Sequence, residues 1–217
     1  MSFLDLIFPP RCGGCGRDGV AWCERCAASV QPVPVTTLNG TPLVAAGRFD
    51  GPLQAAIHSY KYRPRPALAS VLAEPLRRAV AAANLDLAAL TYIPLHPLRR
   101  RERGFNQAER LAAALAGPLG LPVIGGLSRL RPTPAQVGLS QPERQANMVD
   151  AFAWTPPTPP PDRLGLVDDV CTTGATLAAA ADAVARAGGA IGAFVILARA
   201  QTLPALAVTS PGQSACP

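Results

Sequence analysis

A chain of 217 residues with 49% hydrophobic but only 5% aromatic residues is long enough for one ordinary domain plus a small appendage, with a core of mainly Ala, Leu and Val. Its formal charge of +6 suits an anionic partner: a phosphate ligand, nucleic acid or a membrane surface. The opening "MSFLDLIFPPRC" carries an acid and is too short for a secretory signal, and no apolar run reaches the roughly 20 residues of a membrane helix, so a soluble, cytoplasmic chain without membrane insertion is expected.

Four of the six cysteines fall in the first 26 residues, as "CGGC" and "CERC". Two C-x2-C units at this spacing can set Cys12, Cys15, Cys23 and Cys26 around one tetrahedral ion, and Gly16 after the first pair suits a tight metal knuckle. Zinc is the expected occupant, with iron in a rubredoxin-like site as the alternative. Two disulfides would require an oxidising compartment, which nothing in the chain indicates. Four protein ligands leave no open coordination position, so the ion is expected to be structural and to supply much of the folding energy of a short element over 1–30. Arg11, Arg17 and Arg25 around it can face nucleic acid or simply be solvated. Cys171 and Cys216 are isolated, and no metal is assigned to them.

After a proline-rich connector, "QPVPVTTLNGTP", the run "LVAAGRF" (43–49) predicts a strand. "DGPLQAAIHSYKY" predicts a helix capped by Asp50, with Pro52 in the first turn and Leu53, Ala56, Ile57 and Tyr60 on one face. Lys61 ends it, just before "RPRP". It is the single lysine beside 19 arginines: either a compact ammonium is wanted there, or it is a chance survivor in an arginine-biased composition. Residues 67–83 are helical in pattern, with Pro75 expected to kink or restart the helix.

"LTYIPL" (90–95) predicts a short strand. A basic loop with Arg99, Arg100, Arg101 and Arg103 is expected next, and then an amphipathic helix through Leu111, Leu115 and Leu119 that ends at Gly117 to Gly120. A basic loop between a strand end and a helix start is either an anion site or a solvated charge run. The stretch 127–154 begins as a strand, passes through a polar segment (131–146, with Arg144) that reads as a mobile lid, and returns into a strand near Val149 to Trp154. "TPPTPPP" (155–161) is a surface connector. "RLGLV" is a strand; a helix follows over about 175–187, stopped by Gly188 and Gly189, and "AIGAFVILARA" is a last buried strand. The tail, 202–217, is expected to be disordered. Alternating strands and helices predict an α/β domain over 31–201, with a mainly parallel sheet flanked by helices, in which 43–83 form a hood and 90–201 the core.

On such a fold "RLGLV" ends at the carboxyl edge of the sheet, where open α/β sheets bind ligands. In the following "DDVCTTGAT", Thr172 to Thr176 turn into a helix N-terminus, so N–H groups and hydroxyls converge on a cradle for one phosphate. Asp168 and Asp169 beside it need a partner, which two ribose hydroxyls or a magnesium hydration shell can provide. The ligand implied is a sugar phosphate with free hydroxyls. Neither a Walker P-loop nor a G-x-G-x-x-G dinucleotide fingerprint is present.

"LVDDVCTTGAT" resembles the phosphoribosyl-pyrophosphate (PRPP) motif of type I phosphoribosyltransferases. The four-cysteine element, "IHSYKY", "PLHPLRRRERGFNQAERLA", "TPAQVGLSQPERQANMVDAF" and that motif occur in the order seen in ComF-type proteins. That family is related to amidophosphoribosyltransferases, is linked to competence for DNA uptake, and has the GntX proteins as close relatives. The resemblance implies a type I phosphoribosyltransferase-like fold. In it Asp168 and Asp169 hold the ribose hydroxyls, Thr172, Thr173, Gly174, Ala175 and Thr176 hold the 5′-phosphate, and the Leu95–His96 turn meets pyrophosphate.

It further implies that 131–146 closes over PRPP. Transfer would displace pyrophosphate from C1 through an oxocarbenium-like transition state, with magnesium, Lys61, Arg103 and Arg144 neutralising the leaving group. His58 and His96 are available as proton carriers or serve structure. A full amidotransferase is not expected, since residues 1–11 hold no cysteine and Cys12 reads as a metal ligand. Three readings stay open: a magnesium-dependent phosphoribosyltransferase with an unidentified acceptor, a non-catalytic PRPP- or nucleotide-sensing module, and a binder of single-stranded DNA or of DNA-uptake proteins. Stacking aromatics, which single-strand binders normally use, are scarce.

Overall fold

The computed structural model describes residues 9–62, 66–131, 150–155 and 158–200, apart from the side chains of 66 and 67. The expected lid with Arg144 and the expected tail lie outside the described residues, Arg131 excepted. Among those residues the order is α1 (Glu24–Ala28), β1 (Thr36–Leu38), β2 (Thr41–Arg48), α2 (Gly51–Tyr62), α3 (Pro66–Ala82), β3 (Ala89–Tyr92), α4 (Pro97–Arg103), α5 (Gln107–Leu119), β4 (Leu127–Arg129), β5 (Phe152–Trp154), β6 (Leu164–Cys171), α6 (Ala175–Arg186) and β7 (Ile191–Arg199).

The main sheet runs β1-β2-β7-β6-β3, parallel throughout except for β1, which folds back on β2. Strand β1 lies in the stretch read from sequence as a connector. Its signal is the Asn39–Gly40 pair, both left-handed, which closes a two-residue hairpin. Because β2 pairs with β7, residues 43–83 are built into the same sheet as the C-terminal strand, with α2 and α3 covering it.

Both faces of the sheet are buried, which is why its strands read as near-continuous apolar runs. Successive side chains still alternate between faces. Val44, Ala46, Val167, Val195 and Leu197 join α2, α3 and α5 in one cluster. Leu43, Leu164, Leu166, Phe194 and Ile196 join α6 and the β4–β5 hairpin in the other.

Helix α3 runs through Pro75 rather than restarting there. Leu68, Leu72, Leu76 and Val80 form one buried stripe along it. Burial at roughly 1.5–3 kcal/mol per large side chain outweighs the ~3 kcal/mol that an interior proline costs. No helix among the described residues is long and apolar enough to cross a membrane.

The cysteine element rests on α2 and α3, and the two glycines of "CGGC" make that close seating possible. A Cβ on Gly13 would come within 3.0 Å of Leu68 Cδ2. One on Gly14 would meet Trp22 at 2.8 Å, and both Cys26 Sγ and Pro52 at 3.0 Å. Trp22 packs against the thiols and the main core alike, so it ties the element to the domain.

Candidate functional site

After β3 the chain crosses to Val123 on the outer side of the sheet, bridged to Leu90, whereas after β6 it returns through α6 to β7 on the inner side. The boundary between β3 and β6 is therefore a switch point, and the carboxyl ends of both strands open into a cavity of about 280 Å³. Asp168 and Asp169 belong to β6, which runs on to Cys171 rather than ending at Val167 as expected from sequence.

Within the cavity Lys61 Nζ lies 2.9 Å from Asp169 Oδ1, with the two side chains 22% and 13% exposed. Asp168 Oδ1 accepts from the Asp169 N–H at 2.8 Å. Burial, reinforced by the Asp169 charge, pushes Asp168 up to about 7, while the Asp169 N–H, Lys61 and Arg129 pull it back. Arg99, Arg103 and Arg129 complete the wall. Burial and the neighbouring Arg99 lower the Arg129 pKa, with Asp168 opposing. The cavity thus sets two adjacent carboxylates against four cations, an arrangement that asks for a ligand with both hydroxyls and anionic groups.

The arginine run does not form the loop expected from sequence; residues 97–103 are helical. His96 Nδ1 accepts from the Leu98 N–H at 3.3 Å, Pro97 occupies the first turn, and left-handed Gly104 ends α4 by donating to Arg100 O. His96 thus caps α4, and it is Leu95 that lines the cavity. The helical spacing of Arg99 and Arg103 turns both into the cavity, while Arg100 pairs with Glu109 at 3.0 Å.

"RGFNQ" holds this arrangement together. Asn106 caps α5 by accepting from the Ala108 N–H at 3.0 Å, and it donates to Ile93 O at 3.0 Å, tying α5 to the end of β3. Buried Gln107 accepts from Arg103 at 3.1 Å and donates to Lys61 O at 3.4 Å. Its own carbonyl accepts from Tyr60 Oη at 3.1 Å. One glutamine thereby positions the cavity's lysine and one of its arginines. Sequence reasoning passed over Gln107 and Asn106 as site residues, along with Tyr62 and Arg129, which also line the cavity. Asn106 followed by an amphipathic run was a legible cap signal. Nothing local distinguished Arg129 among 19 arginines.

The threonine loop is divided between two cavities. Thr176 faces the first, while Thr173, Gly174 and Ala175 line a second of about 300 Å³ together with Leu38 and Arg186. Gly174 precedes α6 at φ 80, and a Cβ there would lie 2.8 Å from Leu38. Thr173 Oγ1 accepts from the Ala175 N–H at 3.4 Å. Thr172 is half-buried beside them. His58 stacks on Phe49 at 5.9 Å on the outer side of α2.

Away from this cavity, the Sγ atoms of Cys12, Cys15, Cys23 and Cys26 all lie within 4.8 Å of one another. Three of the separations are 3.7 Å. A tetrahedron with metal–sulfur bonds of ~2.3 Å has edges of about 3.8 Å, so the thiols fit one ion such as zinc. Burial opposes ionisation of Cys12, but the N–H groups of Cys15, Cys23 and Gly14 outweigh it and lower the thiol to about 6. The Arg17 N–H lowers Cys15, whereas burial and the other three thiols raise Cys26.

No family model matches the chain. It is 32% identical over 176 residues to Competence protein F of Haemophilus influenzae, a match covering 77% of this chain and 75% of that one. The chain belongs to the ComF family. This ComF-family chain is also 30% identical over 187 residues to the DNA utilization protein YhgH of Salmonella typhimurium, covering 83% and 79% of the two chains. The Escherichia coli protein of that name is 30% identical over 192 residues, covering 86% and 81%. Among solved structures, a glutamine PRPP amidotransferase from B. subtilis complexed with ADP and GMP aligns with a TM-score of 0.43 and 17% identity. That alignment covers 64% of this chain and only 30% of the amidotransferase.

Proposed function

We propose that this ComF-family chain binds PRPP with magnesium in the cavity between β3 and β6, with its 5′-phosphate on the turn that borders that cavity at Thr176, and that it serves the use of incoming DNA. The observation that carries the reading is the Lys61–Asp169 pair at 2.9 Å beside Asp168, facing Arg99, Arg103 and Arg129 in one cavity. The likeness of "LVDDVCTTGAT" to the PRPP motif supports it from the sequence side. Asp168 and Asp169 accept from the ribose 2- and 3-hydroxyls or from magnesium-bound water, and Thr172 to Thr176 hold the 5′-phosphate. Lys61, Arg103 and Arg99 neutralise the pyrophosphate, with Arg144 joining from the segment outside the described residues. Residues 31–201 are then the phosphoribosyltransferase-like domain, with 43–83 as its hood, and 1–30 are its metal element. PRPP is made and consumed in the cytoplasm, where this reading places the chain.

If transfer occurs, the acceptor forms a bond to C1 as the C1–O bond to pyrophosphate breaks. Pyrophosphate leaves with the electron pair, and the acceptor's proton passes to solvent or to the leaving group. The relatives' names, Competence protein F and DNA utilization protein, favour a place in DNA uptake for the same binding event, whether catalytic or sensory.

The test is calorimetric titration of PRPP with magnesium into the zinc-loaded protein and into Asp168→Asn/Asp169→Asn. Micromolar binding that disappears in the double variant is expected, and a screen of acceptors for pyrophosphate release then separates transferase from sensor. A folded wild type that binds no PRPP refutes the reading. Steeply salt-dependent binding of single-stranded DNA in its place would make the arginines a nucleic-acid surface.

A further inference from the structure

The cysteine element and the sugar-phosphate cavity are separate sites, and α2 touches both. Lys61, in its last turn, lies 2.9 Å from Asp169. Toward its other end the backbone of "CGGC" sits directly on the helix. A Cβ on Gly14 would come within 3.0 Å of Pro52, and one on Gly13 within 3.4 Å of Ala56 and 3.0 Å of Leu68 on α3. From Pro52 to Lys61 is about 14 Å of helix axis. A helix of 12 residues is marginal by itself in water and takes its stability from what it packs against. Leu53, Ala56, Ile57 and Tyr60 bury its inner face in the domain core, while the cysteine element supports its first half from outside. That support is incomplete. A depression of about 470 Å³ separates Gly13, Gly14 and Gly16 of the element from Ala55, His58 and Ser59 of α2. Trp22, which packs on the thiols and the core alike, has its indole N–H buried with no hydrogen-bond partner among the described residues. A seat made of glycine backbone, with a depression beside it and a buried donor unsatisfied, is held less by its own packing than by the rigidity of the element. That rigidity comes from four thiols closing on one ion, since the buried cluster of the element consists of Cys12, Cys23 and Cys26 themselves.

We propose that the cysteine site and the sugar-phosphate cavity are coupled through α2, so that metal at the thiols strengthens PRPP binding and PRPP strengthens metal retention. The coupling rests on the sugar-phosphate site proposed above. Its two-state element is the seat of "CGGC" on α2. With the thiols drawn together, Gly13 and Gly14 hold Ala56 and Pro52, and α2 delivers Lys61 to Asp169. With the thiols released, the seat loosens, α2 loses support along its first half, and Lys61 spends less time opposite the acids. Gln107 extends the effect, because it binds Tyr60 and Lys61 of α2 as well as Arg103, so a displaced last turn also disturbs a second cation of the cavity. Each ligand favours the same seated arrangement without touching the other. Linkage then requires the two effects to be equal in size.

Zinc affinity is measured by competition with a chromophoric chelator, with and without saturating PRPP and magnesium. PRPP affinity is measured by calorimetry on the zinc-loaded and the zinc-stripped protein. A change of about tenfold is expected in each direction, a common size for such couplings. Asp168→Asn/Asp169→Asn should show no effect of PRPP on zinc, which separates the coupling from zinc sequestered by free PRPP. Gly13→Val pushes the element off Leu68 and Ala56 while leaving all four thiols in the chain. It should still hold one zinc, bind PRPP about tenfold more weakly than the wild type, and show a zinc affinity that no longer responds to PRPP. Equal PRPP affinity with and without zinc, or a wild-type zinc affinity indifferent to PRPP, overturns the inference alone. If stripping zinc unfolds the domain, the loaded proteins decide, and a Gly13→Val variant that binds PRPP as tightly as the wild type overturns it. If Gly13→Val itself fails to fold, the wild-type titrations decide. A zinc-loaded wild type that binds no PRPP overturns the underlying reading instead.

Discussion

Replacing Asp168 with asparagine removes a charge that the folded protein resists, and the consequence for stability has a definite sign. Asp168 rises from an ordinary 3.8 to about 7, mainly through burial and then through the charge on Asp169. Between those two values the folded state binds the proton and the unfolded state does not, so stability falls as pH rises through that window and stays lowered above it. A rise of this size corresponds to about 4 kcal/mol at ~1.4 kcal/mol per pH unit, and water reaching the half-buried carboxylate reduces that to about 2–3 kcal/mol. Asparagine mimics the protonated acid and keeps a carbonyl to accept from the Asp169 N–H. Asp168→Asn is therefore expected to be more stable than the wild type by about 2–3 kcal/mol at pH 8. Near pH 4 the gain should vanish. Urea denaturation of both proteins, zinc-loaded, at pH 4, 6 and 8 measures it, and taking the difference at each pH cancels the titration of the cysteine site. A loss of stability at pH 8, or a gain that does not change with pH, would show that Asp168 is not a strained, partly protonated acid.

Further outcomes follow from the same geometry. Asn106→Ala removes both the α5 cap and the tie to Ile93 O, and should cost about 1–3 kcal/mol in denaturant titration, because a buried donor and acceptor partnership is lost. Gly174→Ala forces a side chain into a left-handed backbone and against Leu38; about 1–3 kcal/mol of destabilisation and weakened PRPP binding are expected in the same assays. The purified chain should release one zinc ion per molecule to a chromophoric chelator. Cys26→Ser should hold less than that and unfold at lower denaturant, since three thiolates no longer close the tetrahedron. Gln107→Leu leaves Lys61 and Arg103 in the chain but unties both; PRPP affinity should fall severalfold while the metal content stays unchanged.

The cysteine spacing, the alternation of strands and helices, and the two acids ahead of a threonine–glycine turn were all legible because each is written within a short contiguous stretch. Thiol spacing, backbone period and a strand-to-helix turn are local requirements, and local sequence can meet them. Even there the boundaries moved. The acids lie inside β6, and the expected basic loop is a helix, because His96, Pro97 and Gly104 together cap about two turns whose preference the charge pattern concealed.

What composition and spacing could not decide is which side chains converge. Lys61 and Asp169 come from opposite halves of the chain and meet only because α2 ends over the carboxyl edge of β6. Arg129 reaches the cavity from a separate two-stranded sheet, and Gln107 joins α2, α4 and α5 through side-chain and backbone groups at once. By itself the sequence determined the fold class, the four cysteines that come together and the two adjacent acids at the end of β6. The tertiary structure chose the cations that face those acids and raised Asp168 toward neutrality, because burial and proximity are properties of the packed sheet edge that no single stretch contains.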